Sequence, residues 1–265
     1  MERPVILLTN DDGIDSPGLA ASAAALDPLG DLLIVAPHRQ MSGMGRSMPV
    51  QHSGRLVPAV VTYQDRSWEA WGADASPAQA VQHAVLEMTD QKPILAVSGI
   101  NYGENVGVGV TISGTVGAAL EASSLGIPAL AVSLEVDPGL YLSNDDSVDF
   151  AASIAILRRF ARLWLAVEPL PDVDVIKIDI PTAATIDSSW RITRLERQPY
   201  YLPIAPQRES YGDDGTLGYQ MAPRQNFDSL SDAAAVNEGV ISITPLSLDM
   251  TSRIPPDVLR DRLAD

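Results

Sequence analysis

Asp11 and Asp12 are adjacent carboxylates that directly follow a short apolar run, in the stretch Thr9-Asn10-Asp11-Asp12-Gly13. Two other apolar runs end in a similar way. One leads into Pro37-His38-Arg39-Gln40-Met41-Ser42-Gly43, the other into Ser98-Gly99-Ile100-Asn101-Tyr102-Gly103. All three endings place small oxygen-bearing side chains beside glycine. Two carboxylates with the neutral oxygens of Ser42 and Asn101 form an all-oxygen donor set, which suits a hard divalent cation, Mg²⁺ or Mn²⁺, better than Zn²⁺. An Asp-Asp-Gly triplet can also be a plain surface turn. Its place after a buried strand, with two matching endings elsewhere, favours the metal. The chain has no cysteine, which excludes thiolate-zinc sites, iron–sulfur clusters, disulfides and a Cys nucleophile.

Ser113-Gly114-Thr115 opens a helical stretch. Free N–H groups and the helix dipole at such a start can hold a phosphate, although simple capping by Ser113 explains the same residues. Gly107-Val108-Gly109 lacks the third glycine of a dinucleotide fingerprint, since Ile112 stands there. No Gly-x-Ser-x-Gly elbow occurs, so a serine nucleophile is not expected. His38-Arg39 could hold or protonate an anion, or be a solvated loop pair. His83 reads as a packed or surface helix residue, and His52 has no chemical neighbour in sequence. Tyr200, Tyr201 and Tyr211 could stack on a base or pack an arm.

The elements that must position these residues are legible from periodicity. Residues 5–8, 32–36, 94–97 and 129–134 are short Val/Ile/Leu runs of the kind covered on both faces in a parallel sheet. Helical stretches lie between them. Ser16-Pro17, a capping Ser followed by Pro at the first helical position, marks the start of one over 17–26, and Ser76-Pro77-Ala78-Gln79 is a capping-box signature for another reaching about residue 88. A third runs from about 113 to 125 and stops at Gly126-Ile127-Pro128. The alternation predicts an α/β fold: a Rossmann-like, mostly parallel sheet flanked by helices. Residues 57–71 read as a hairpin or an extra strand. Residues 145–167 read as one long helix with Phe150, Ile154, Leu157, Ala161 and Leu165 on one face. Strands are expected at 173–178, 190–195 and 239–245, and a helix at 255–263. Residues 199–230, with Pro199, Pro203, Pro206 and Pro223, read as a protruding arm or extended hairpin. The expected organisation is an α/β catalytic core over 1–137, completed by 138–265, which also carries the arm.

The chain has 265 residues, with 18 Lys+Arg against 34 Asp+Glu and a net charge of −16. That balance argues against binding nucleic acid through its phosphates. Its 46% apolar content is too high for disorder. The first apolar run is too short for a signal segment or a membrane span, so a cytoplasmic protein without a membrane partner is expected.

With these segments assembled, the sequence resembles the SurE family of stationary-phase survival proteins, metal-dependent nucleotide phosphohydrolases. The resemblance is carried by residues 6–13 with Ser16-Pro17-Gly18, by Val35-Ala36-Pro37 leading to Ser42-Gly43, and by Val97-Ser98-Gly99-Ile100-Asn101 with Gly103, Asn105 and Gly107. Ser113-Gly114-Thr115-Val116, Glu121, residues 127–133, Glu238-Gly239 and residues 242–246 extend it over most of the chain. It implies metal ligands at Asp11, Asp12, Ser42 and Asn101, with one divalent ion per subunit. It groups Asn10, Ser113 and Thr115 with the catalytic residues, and Gly43, Asn101, Ser113, Gly114 and Thr115 with those that meet substrate. The implied reaction hydrolyses nucleoside 5′- and 3′-monophosphates with water as nucleophile. Either Asp11 or Asp12 would accept the water's proton. The implied assembly is a homodimer or homotetramer with arms exchanged between subunits. The alternative is a non-catalytic nucleotide-binding regulator on the same fold. Departures from the family pattern stand at His38 (usually Asp), Gly45 (usually Ser), Tyr102 and Glu104 (usually small), and Gln79 (usually Asp).

Overall fold

Val5–Thr9 forms the first strand, β1, in a computed structural model that describes residues 3–141, 143–222 and 227–264. Its side chains alternate: Ile6 and Leu8 enter one apolar core and Leu7 the other. All three are fully buried, each contributing about 1.5–3 kcal/mol. Burial on both faces is why the run is continuously apolar. The chain continues through α1 (Pro17–Leu26), β2 (Asp31–Pro37), the hairpin β3 (Leu56–Tyr63) and β4 (Arg66–Ala73), α2 (Pro77–Glu87) and β5 (Leu95–Tyr102). A 3-10 turn over Gly107–Thr111 leads to α3 (Gly114–Ser124) and β6 (Ala129–Leu134). The second half holds α4 (Ala151–Leu165), β7 (Val175–Ile180), β8 (Trp190–Ile192), β9 (Tyr201–Ile204), β10 (Gly218–Met221), α5 (Asp232–Asn237), β11 (Ile241–Leu246) and α6 (Pro256–Leu263).

Nine strands form one sheet in the order β3-β4-β2-β1-β5-β6-β7-β11-β8. The pairs from β4 to β7 are parallel, while β3–β4 and β7–β11 are antiparallel. Helices α1 and α4 cover one face, and α2 and α3 the other. This is the mostly parallel, helix-flanked sheet that the sequence predicts. From β1 the chain moves to β2 on one side and later returns to β5 on the other. The crevice between β1 and β5 is thus the topological switch point, where such sheets bind ligands.

β5 runs five residues further than its apolar run, through a bulge. Ser98 pairs with Ala131, but the next pair is Asn101 with Ser133. Gly99 sits at φ 125°, and a Cβ there would lie 2.1 Å from the Val132 carbonyl oxygen, so a glycine is required. Bulges re-aim side chains beside functional sites, and here the residues beyond it, Asn101 and Tyr102, reach β1's carboxylates.

Three expectations are corrected. The long helix begins at Ala151 rather than 145, because Asp145 and Asp149 accept the backbone N–H groups of Ser147 and Ala151 in local turns that compete with helix. Its buried face is Ser153, Ile156, Leu157, Phe160 and Ala161. Ser16 does not cap α1 with its side chain, since its hydroxyl is buried without a partner. Its carbonyl instead accepts from Leu19 and Ala20 at 3.1 and 3.2 Å. β8 ends at Ile192, after which Arg194 bridges to Ser231. The box at Ser76 forms as expected: Ser76 and Gln79 exchange side chain–backbone bonds of 3.1 Å. Residues 57–71 are the β3–β4 hairpin. Within 199–230, β9 and β10 pair with each other as a two-stranded ribbon, and Pro223 lies outside the described residues. Among the described residues, no helix is long and apolar enough to cross a membrane.

Candidate active site

Asp11 and Asp12 leave the end of β1 and are almost fully buried, at 4% and 2% exposure. Asn10 fixes the turn that presents them. Its amide donates to the Gly13 carbonyl at 3.0 Å and accepts from the Gly13 N–H at 3.1 Å. Thr115, in the first turn of α3, donates its hydroxyl to Asp11 Oδ1 at 2.5 Å. Asp12 accepts the Tyr102 N–H at 3.0 Å and the Gln40 amide at 3.3 Å. One carboxylate is therefore tied to α3 and the other to β5 and the loop after β2.

Burial pushes the Asp11 carboxyl up to about 6, although the Thr115 hydroxyl and the N–H groups at the start of α3 oppose the rise. Asp12 goes up to about 8, driven by burial and then by the charge of Asp11, against the Tyr102 N–H and Gln40. Among the described residues, neither acid forms an ion pair, and no third His, Cys, Asp or Glu completes a cluster with them. Two buried carboxylates without a counter-cation are costly unless something positive joins them.

The other sequence-predicted residues surround this pair. Asn101 is buried and donates its amide NH₂ to the carbonyls of Gly103 and Tyr102 at 2.6 and 3.2 Å, which leaves its oxygen as the atom for a cation. Ser42 and Gly43 are exposed, on a loop clamped at both ends. The Met41 N–H reaches the Asp11 carbonyl at 2.7 Å, the Gly45 N–H reaches Ile112 at 2.9 Å, and Arg46 meets buried Glu121 at 2.6 Å. Among the described residues no hydrogen bond joins Ser42 to either acid, and the tie of its loop to the site is the Met41 N–H on the Asp11 carbonyl. Ser113 caps α3, accepting the Val116 N–H at 3.1 Å. Gly114 is where α3 meets Asp11: an added Cβ would lie 2.7 Å from Asp11 Oδ2. The donor set is all oxygen, can supply two negative charges to a cation and lies at the switch point, so it fits a divalent cation of the Mg²⁺ or Mn²⁺ type.

Outside this centre, His38 is bonded to the Ala73 carbonyl at 3.0 Å, His83 to Glu87 and His52 to Asp74. Tyr200 is buried against Tyr201 and Phe227, and Tyr211 is 98% exposed. Sequence reasoning missed Gln40, Asn105 and a fully buried ion cluster of Lys177, Asp179 and Asp232. The signal was present: Lys177 and Asp179 are two apart in an otherwise apolar strand, hence on one face.

The family model described as "Survival protein SurE" matches residues 6–201. The 5′-nucleotidase SurE of Thermococcus gammatolerans is 40% identical over 262 residues, covering 97% of this chain and 95% of its own length. That of Methanothrix thermoacetophila is 37% identical over 266 residues, with 97% and 98% covered. The crystal structure of the SurE protein from Aquifex aeolicus superposes with a TM-score of 0.75 at 29% identity, covering 99% of this chain and all of that one. Asp11, Asp12, Ser42, Asn101 and Thr115 all fall inside the matched span, on a fold shared from end to end, and the chain belongs to the SurE family.

Proposed function

We propose that this protein is a divalent-metal-dependent phosphatase that hydrolyses nucleoside 5′- and 3′-monophosphates to nucleoside and phosphate. The observation that carries the proposal is the buried Asp11–Asp12 pair, uncompensated by any cation among the described residues and facing the start of α3. Relatives bearing the name 5′-nucleotidase support the substrate class. Asp11, Asp12, Asn101 and Ser42 would hold Mg²⁺ or Mn²⁺, one ion per subunit. When bound, such an ion polarises a phosphoryl oxygen and makes water a better nucleophile.

The chain's own residues supply the rest. The first turn of α3, with the Ser113 and Thr115 hydroxyls and the close approach allowed by Gly114, receives the substrate's negative charge. Asp11 already faces these groups, so a phosphate shares them with it. Gly43, exposed and with nothing within 4 Å of an added Cβ, leaves room for substrate beside Ser42. The attacking water must lose a proton. One of the two carboxylates, Asp11 or Asp12, would accept that proton. The assembly we propose is a cytoplasmic homodimer or homotetramer joined through the β9–β10 arm, whose Ile204, Leu217 and Tyr219 are exposed.

The test is phosphate release from nucleoside monophosphates and from an aryl phosphate, with Mg²⁺, Mn²⁺ or a chelator. Release that needs the metal and disappears in Asp12→Asn is the expected result. A folded Asp12→Asn protein with full activity, or a wild type that binds nucleotide and never releases phosphate, would overturn the proposal.

A further inference from the structure

Lys177 is fully buried, as are Asp179 and Asp232, the two carboxylates it pairs with. Lys177 Nζ meets Asp232 Oδ2 at 3.1 Å and contacts Asp179 Oδ2. Burying three charges is unfavourable unless their hydrogen bonds are completed, and here backbone N–H groups from three regions complete them. Asp179 Oδ1 accepts from Asn105 at 2.9 Å. Asp232 accepts from Gly107, Glu196 and Ala233, each at 2.9 Å. The Asn105 and Gly107 groups belong to the loop between Asn101 and α3. Glu196 and Asp232 flank the β9–β10 arm on either side.

Asn105 carries the connection onward. Its side-chain amide donates to Ser133 at 2.9 Å and to Thr115 Oγ1 at 3.5 Å, and Thr115 donates to Asp11. A second tie runs from the arm to the same loop, since the Tyr200 hydroxyl donates to buried Glu104 at 2.7 Å.

We infer that Lys177, through Asp179 and Asn105, is a positioning residue for the Asp11 centre, and that the ion cluster ties the foot of the arm to that centre. Lys177 touches no substrate. Its charge holds the two carboxylates that fix the backbone at 105 and 107, and thereby the amide that orients Thr115. The inference uses the metal site of the proposed function but is also read without it.

The experiment compares wild type with Asn105→Ala, Asp179→Asn and Lys177→Met. Two quantities are measured: amide hydrogen exchange over residues 101–117, and the dissociation constant for Mn²⁺. Asn105→Ala removes only a half-buried amide, so it keeps the test open if Lys177→Met fails to fold. In Asp179→Asn, exchange over 101–117 rises while β1 and β2 stay protected. In Asn105→Ala, Mn²⁺ binding weakens by up to about 10-fold, the low end of the loss for a direct partner of a metal ligand, because Thr115 stands between Asn105 and Asp11. Substrate KM changes less than kcat. Folded Asn105→Ala and Asp179→Asn proteins with wild-type exchange over 101–117 and wild-type Mn²⁺ affinity would overturn the inference. If wild type itself binds no Mn²⁺, the proposed function fails, and the exchange data decide the inference alone: a rise confined to 101–117 supports it, and its absence overturns it.

Discussion

At the scale of single residues, the site works by making two carboxylates uncomfortable. Asp12, pushed up to about 8 by burial and by Asp11, favours its protonated form near neutrality when no cation is present. Such a raised acid stabilises the fold fully only below its unfolded value, near 4, and that contribution is lost as pH rises through the folded value. Asp11, pushed up to about 6, acts in the same direction over a lower range. Metal-free protein is therefore expected to lose stability steadily from about pH 4 to 8. Saturating Mn²⁺ should flatten that dependence. Asp12→Asn, which never charges, should show a higher urea midpoint than wild type at pH 8 in chelator and little gain from Mn²⁺. Urea melts at several pH values, with and without chelator, measure this. A wild-type midpoint that rises with pH in chelator would contradict it.

At the scale of elements, the geometry depends on close approaches between backbones and side chains. α3 meets Asp11 at Gly114, where a Cβ has no room. Gly114→Ala would ordinarily favour a helix by about 1 kcal/mol. Here it should lower kcat at least tenfold, because the Asp11 carboxylate must shift. Steady-state kinetics beside a thermal melt check it, and unchanged kcat in the folded variant would refute the geometry. The same comparison explains what was legible in the sequence. β1, β6 and α1 followed from apolar runs and Pro punctuation, because burial on both faces leaves a plain compositional mark. Asp11, Asp12 and Asn101 were legible because they end such runs. The start of α4 was not, since Asp145 and Asp149 redirect local hydrogen bonds without breaking the hydrophobic period. The extension of β5 was hidden by a bulge, and the bonds of Thr115, Gln40 and Asn105 by distances of many residues along the chain. Those contacts depend on tertiary packing that no local pattern encodes.

At the scale of the whole molecule, the charge of −16 looks ill suited to an anionic substrate. Two of the 34 acids sit at the switch point, where a divalent ion would invert the local field, and the others mainly favour solubility. The β9–β10 ribbon lies apart from the main sheet and carries exposed apolar side chains between 204 and 219. Replacing residues 205–217 with a short Gly-Ser link should shift the protein to a smaller assembly while leaving the Lys177 cluster in place. Light scattering coupled to size exclusion reads this directly, and an unchanged mass would remove the arm from the interface.

The strand order also sets a timetable for synthesis. β1 is made long before its partner β5, which starts at Leu95, and the lysine that secures the loop beyond β5 is residue 177. Asp232, the cluster's last member, comes later still. Parallel pairings of this separation form slowly. The carboxylate pair after β1 is therefore synthesised well before the groups that enclose it, and the centre closes only once Asp232 has followed.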